Sequence, residues 1–121
     1  MLKGLFANTR AKGMHYEQLA EQYLQAQGLL AVSRNYNCKY GEIDLIMREQ
    51  NTLVFVEVKY RKNNRFGGAI SALSQSKIQK LRRSIYHYLE CNKLQNSLVR
   101  IDFIAIEGLS SDNIKWIKNI S

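Results

Sequence analysis

Gly41-Glu42-Ile43-Asp44-Leu45-Ile46 and Val54-Phe55-Val56-Glu57-Val58-Lys59 read as two hydrophobic strands, yet both carry ionisable side chains where a buried hairpin has no room for them. Charged residues are rarely buried unless they are paired or bound to a metal, so the placement points to a site. Side chains on a strand alternate with a period of two. Glu57 and Lys59 therefore project to one side, and Ile43, Leu45 and Met47 are expected on one face with Glu42, Asp44 and Ile46 on the other. Arg48 to Thr52 supplies the polar turn between the strands.

Around this hairpin the periodicity changes. Tyr16, Leu19, Ala20, Tyr23 and Leu24 fall on one face of a helix that Gly28 ends. Glu17 lies at the edge of that stripe, while Glu21 is expected to point further into solvent. Leu29 to Ser33 suits a first strand, and Asn35 to Tyr40 has turn composition. Tyr60 to Gly68 is basic, polar and closed by two glycines, as a mobile loop requires. A long helix follows, burying Ile78, Leu81, Ile85, Tyr88 and Leu89 and leaving Lys80, Arg83 and His87 on the wet side. Leu98 to Ile106 forms another strand, with Arg100 and Asp102 on a shared face. The tail from Gly108, which contains Trp116, adds a last short strand. The expected fold is α/β, in the order αβββαβ, with a central mixed sheet flanked by helices and a right-handed crossover through the long helix.

A chain of 121 residues with 45% hydrophobic content suits one domain over 1–121, with a core of about 13–107 and a C-terminal extension 108–121. No apolar run approaches the roughly 20 residues needed to span a bilayer, and Met1-Leu2-Lys3-Gly4-Leu5-Phe6 lacks the apolar segment of a secretory signal. A cytoplasmic protein without membrane contact is expected. Cys38 and Cys91 have neither Cys-x-x-Cys spacing nor clustered histidines, and read as reduced thiols. The net charge of +8 favours a polyanionic partner, nucleic acid first, through release of counterions from phosphate. Lys59, Arg61, Lys62 and Arg65 follow directly on the carboxylates. Arg34, Lys39, Lys77, Lys80, Arg82 and Arg83 come from other elements.

Hydrolysing a phosphodiester near neutral pH needs an activated water and neutralisation of charge on the phosphate, both of which Mg²⁺ or Mn²⁺ supplies. Asp44 and Glu57 on neighbouring strands offer the oxygen ligands such an ion takes, and Lys59 is a compact cation suited to orienting water or stabilising the transition state. Two carboxylates about 4 Å apart repel by on the order of 4 kcal/mol at an effective dielectric near 20, so a cation or a retained proton must compensate. The plainer alternative is a buried Asp/Glu/Lys ion pair without catalytic duty. His15 and His87 read as surface residues. Tyr36, Tyr40 and Tyr60 read as covers of core edges, with base stacking as their other use.

These motifs resemble the PD-(D/E)XK nuclease superfamily, which includes restriction endonucleases and Holliday-junction resolvases, and more narrowly the YraN family of small bacterial proteins. The matching residues are Gly13, Glu17, Ala20, Leu24, Gly28, Asn35, the run Gly41 to Ile46, and Phe55 to Lys59 with Arg61. Phe66-Gly67, Lys77, Arg100 and Asp102 extend the match to about Ile106. The resemblance implies a restriction-endonuclease-like fold and a Mg²⁺-dependent endonuclease acting on DNA rather than RNA, branched or structured DNA included. It implies Asp44, Glu57 and the Val58 carbonyl as metal ligands, Lys59 as the catalytic lysine and Glu17 as an added helical acid. Arg61, Lys62, Arg65 and Lys77 become candidate nucleic-acid contacts. Ile43 stands where the superfamily signature has proline. Analogy with resolvases implies a homodimer with paired sites. The alternatives are a nucleic-acid-binding protein with this fold and no turnover, and a basic scaffold within a protein complex.

Overall fold

The computed structural model describes residues 9–63, 65–108 and 113–120, without the side chains of 9, 10 and 65–67. The expectations for Met1 to Phe6 and for the side chains of Arg65 and Phe66 lie outside these described residues. Along the chain run α1 (Thr9–Ala26), β1 (Leu30–Cys38), β2 (Gly41–Glu49), β3 (Thr52–Arg61), a 3₁₀ helix (Arg65–Ala72), α2 (Gln75–Cys91), β4 (Leu98–Glu107) and β5 (Ile114–Ile117). The strands form one sheet in the order β1-β2-β3-β4-β5. Neighbours are antiparallel except β3 and β4, which are parallel and joined through α2. This is the expected αβββαβ order with a terminal strand added.

Each helix buries its apolar stripe against one face of the sheet. Tyr16, Ala20 and Leu24 of α1 pack with Leu45, Met47, Val54, Val56, Val58, Ile104 and Ile106. Leu81, Ile85, Tyr88 and Leu89 of α2 pack with Ile43, Ile46, Leu53, Phe55 and Ile101 on the other face. The fold is thus a helix, sheet and helix sandwich. Among the described residues no helix is long and apolar enough to cross a membrane, and Cys38 and Cys91 are both free.

Two hairpins set the register. Gln50 and Asn51 connect the Glu49–Thr52 pair, with Gln50 in the left-handed region at φ 54°. Lys39 and Tyr40 connect the Cys38–Gly41 pair, and Gly41 has a φ of 142°, which strains any residue bearing a Cβ. Ser74 caps α2, its Oγ accepting from the Lys77 N–H at 3.2 Å. Ser74→Ala should cost about 1 kcal/mol, read as a lower denaturant midpoint with an unchanged slope.

The structure departs from the sequence expectations in five places. The first strand is not Leu29–Ser33 but the longer β1, which continues through the Asn35 to Cys38 segment read as turn. Asn35 takes a φ of 53° and the register shifts between Ala31 and Ser33, so an irregular edge strand absorbs the turn-forming residues while still pairing with β2. The loop expected over Tyr60 to Gly68 is shorter, because β3 runs to Arg61 and the 3₁₀ helix begins at Arg65. Glu21 is not turned to solvent. It is 5% exposed and paired with Arg34 at 3.0 Å. His87 is half-buried, bonded to the Tyr36 hydroxyl at 2.6 Å, so it ties α2 to β1 instead of standing on a wet face.

The fifth departure shapes the site. Ile43 packs with Ile46 towards α2, whereas Leu45 and Met47 pack towards α1. Strict alternation therefore breaks between Ile43 and Leu45. The paired register of β2 with β3 ends at Leu45–Val56. Just past that pair, the Val58 N–H donates to the Asp44 carboxylate at 2.8 Å instead of to a strand carbonyl.

Candidate functional site

Where β2 and β3 stop pairing, side chains from three elements converge. Asp44 comes from the irregular point of β2, Glu42 from two residues before it, Glu57 and Lys59 from β3, and Glu17 from α1. Carboxylate oxygens of Glu17, Glu42 and Asp44 all lie within 4.8 Å of one another. Lys59 Nζ lies 3.5 Å from Glu57 Oε1, which realises the expected pairing across one residue. Glu57 stands beside Asp44 and raises its pKa both by charge and by a hydrogen bond.

Burial controls the electrostatics. Asp44 is 9% exposed. Its pKa is pushed up to about 9, first by desolvation, then by the charge of Glu57, with Glu17 adding to the effect; the Val58 N–H opposes it. Glu17 is also raised, by desolvation first and by the charges of Glu42 and Glu57, while a hydrogen bond with Asp44 and the Lys59 ammonium pull it back. Without a cation, Asp44 therefore keeps its proton at neutral pH. Glu17 Oε1 is buried with no hydrogen-bond partner among the described residues. With an orphaned carboxylate oxygen among three close acids, the cluster could hold a cation. The donor set is all oxygen, which fits a hard divalent cation.

Two clefts flank the cluster. One, of about 480 Å³, is lined by Gly13, Met14, Glu17, Asn35, Asn37 and Glu42. The other, of about 250 Å³, is lined by Tyr40, Gly41, Glu42, Glu57, Lys59, Lys77, Lys80, Leu81 and Ser84. Glu42 borders both, so the acids lie between a polar cleft on the α1 side and a lysine-lined cleft against α2.

A sequence profile described as "Uncharacterised protein family UPF0102" matches residues 16–106. The chain belongs to this family. A UPF0102 protein of Pseudoalteromonas translucida is 54% identical over 118 residues, covering 98% of this chain and 96% of its own length. A UPF0102 protein of Neisseria gonorrhoeae is 48% identical over 110 residues, covering 91% and 94%. One from Photobacterium profundum is 46% identical over 121 residues, covering 98% and 96%. The UPF0102 match begins at Tyr16 and ends at Ile106, so it contains every residue of the acidic cluster and both clefts' strand walls.

The remaining candidates are distributed unevenly. Lys77 is exposed on the first turn of α2 and lines the cleft with Glu57 and Lys59. Arg61 is exposed at the end of β3, its guanidinium donating to the Tyr60 carbonyl at 2.8 Å, and Lys62 is exposed just beyond. Val58 contributes its N–H to Asp44. Tyr60 stacks on Tyr16 with ring centroids 3.8 Å apart, and Tyr36 packs edge-on to Tyr88, so both cover core edges. Sequence reasoning placed Glu42 on the face of Asp44 without a role and left Lys80 on the wet side of its helix, yet both line the site. Lys77, Lys80 and Ser84 at i, i+3 and i+7 share a helical face, and that spacing was the available signal for Lys80.

Proposed function

We propose that this protein is a metal-dependent endonuclease that hydrolyses phosphodiester bonds in DNA, with branched or otherwise structured DNA among its substrates. The observation that carries the reading is the convergence of Glu17, Glu42, Asp44, Glu57 and Lys59 where β2 and β3 part, beside a lysine-lined cleft. Glu17, Glu42 and Asp44 would hold Mg²⁺ or Mn²⁺, with Glu57 next to them. The bound ion supplies water activation and neutralises charge developing on the phosphate. Lys59, paired with Glu57, would stabilise the same charge from the protein side. Lys77 and Lys80, which line the cleft, would grip a neighbouring phosphate. Family membership supports a shared architecture across these relatives, and the chemistry of the residues supports the activity.

The test is incubation of purified protein with labelled duplex, single-stranded and four-way-junction DNA in Mg²⁺ or Mn²⁺, with Asp44→Asn alongside. Metal-dependent cleavage by the wild type alone is expected. Equal cleavage by the variant would expose a contaminant and sink the assignment. Salt-sensitive DNA binding with no cleavage in any metal would leave only the binding function. Lys59→Ala should lower kcat by about 100-fold, the usual scale for removing one electrostatic contact to a transition state, with KM close to that of the wild type.

A further inference from the structure

The surface just outside the catalytic cleft carries aromatic rings that the core does not use. Tyr40 sits in the two-residue turn of the β1–β2 hairpin and is 40% exposed. Tyr86, on the outer side of α2, is 67% exposed, the highest value among the exposed large hydrophobic side chains described. Between them lies a cleft of about 540 Å³ lined by Lys39, Tyr40, Arg83, Tyr86, His87 and Glu90. Tyr40 also lines the lysine-rich cleft of Glu57 and Lys59, so the two clefts share a wall.

The local chemistry holds these rings presented. The Lys39 ammonium lies 5.1 Å from the Tyr40 ring centroid, and His87 meets the same ring edge-on at 6.2 Å. His87 is itself anchored by the Tyr36 hydroxyl. Lys39 and Arg83 outnumber the single acid, Glu90. Exposed aromatic faces interleaved with cations are the physical requirements for holding an unpaired strand, because every base offers a π-face and every nucleotide a phosphate. In a duplex those base faces are already stacked, so two separated tyrosines gain little from it.

We propose that Tyr40 and Tyr86 form a stacking track for single-stranded DNA leaving the catalytic cleft, with Lys39 and Arg83 on its phosphates. The inference rests on the nuclease reading and narrows its substrate to DNA with unpaired nucleotides beside the scissile bond. The track is a binding surface, so it is measured without turnover.

In an Asp44→Asn background with EDTA, fluorescence anisotropy is recorded with labelled oligo(dT) of about 12 nucleotides, within the site size of such surfaces, and with a blunt duplex of equal length. Tyr40→Ala and Tyr86→Ala should each weaken oligo(dT) binding about tenfold and leave duplex binding nearly unchanged, while Tyr86→Phe binds as its parent does. Equal losses on both ligands would overturn the track. So would unchanged oligo(dT) binding, the outcome expected if a protein partner occupies these rings. Tyrosine-dependent binding by a protein that cleaves nothing would remove the nuclease reading and keep the track. Cleavage of single-stranded extensions that ignores both tyrosines would do the reverse.

Discussion

Asp44→Asn is expected to abolish metal-dependent cleavage and, at the same time, to raise the thermal stability of the metal-free protein at pH 8. The two effects share one cause. In the folded protein the Asp44 pKa is pushed up to about 9, far above the ordinary value of about 4 for an aspartate, because the group is buried beside Glu57 and Glu17. Below the unfolded-state pKa, both states carry the proton and burial costs nothing in charge. As pH rises above it, the unfolded chain releases a proton that the folded chain retains, so this group makes stability fall until the folded pKa is passed. Asparagine carries no such slope, and its amide oxygen is able to accept the Val58 N–H that Asp44 accepts now. At pH 8 the gain should be several kcal/mol, since each pH unit above the unfolded-state pKa contributes about 1.4 kcal/mol, and Tm should rise by more than about 5 °C. It should shrink towards pH 4. Adding Mn²⁺ should stabilise the wild type, increasingly so at higher pH because the ion displaces the proton, and should leave Asp44→Asn nearly unchanged. Differential scanning calorimetry across pH, with and without Mn²⁺, reads all of this. A variant less stable than wild type at pH 8 would mean that Asp44 is a structural ion-pair member.

Asp102→Ala should have the opposite sign. Asp102 is completely buried, yet every side of its carboxylate is met. Arg100 donates through two nitrogens at 2.9 and 3.0 Å, Trp116 Nε1 at 2.9 Å, and the Asn119 N–H at 2.9 Å. Arg100 also reaches Glu49 at 2.7 Å. Removing the carboxylate leaves a half-buried guanidinium, an indole N–H and a backbone N–H without their acceptor, a loss of about 3–5 kcal/mol. Because Trp116 lies on β5 and Asn119 just beyond it, that strand should loosen first. Urea denaturation should show a markedly lower midpoint, and hydrogen exchange should accelerate at Ile114 to Ile117. An exchange pattern unchanged in β5 would remove Asp102 from the role of clasp.

Asp44 and Asp102 look alike in the sequence, each an acid inside a hydrophobic strand. Their fates differ because of what folding brings to each. Asp102 receives four donors, two of them from the Arg100 guanidinium, so its carboxylate is fully hydrogen-bonded. Asp44 receives one backbone N–H and three other carboxyl groups, so burial and those charges favour its protonated form. Nothing in strand periodicity separates the two cases, since partners from α1 or β5 are many residues away in the chain.

Strong local patterns were legible. The stripes of Tyr16, Ala20 and Leu24, and of Ile78, Leu81, Ile85, Tyr88 and Leu89, produced the helices and their buried faces, because a 3.6-residue apolar period permits little else. The Glu57–Lys59 pairing followed from the two-residue period of a strand. Errors arose where a long-range partner outweighed local preference. Turn-forming Asn35 and Asn37 were drawn into β1 by pairing with β2. Glu21 was drawn under the surface by Arg34, a residue from a different element.

The alternation of Val54 to Lys59, the acid and base on one side of it, and the order of elements were thus determined by the sequence alone, because each depends on neighbours a few residues away. The tertiary structure decided how closely the acids meet, bringing carboxylate oxygens of Glu42, Glu17 and Asp44 within 4.8 Å of one another. It did so by breaking the regularity of β2 next to Asp44 and laying α1 across the gap, and no local rule of backbone geometry encodes the meeting of two such distant segments.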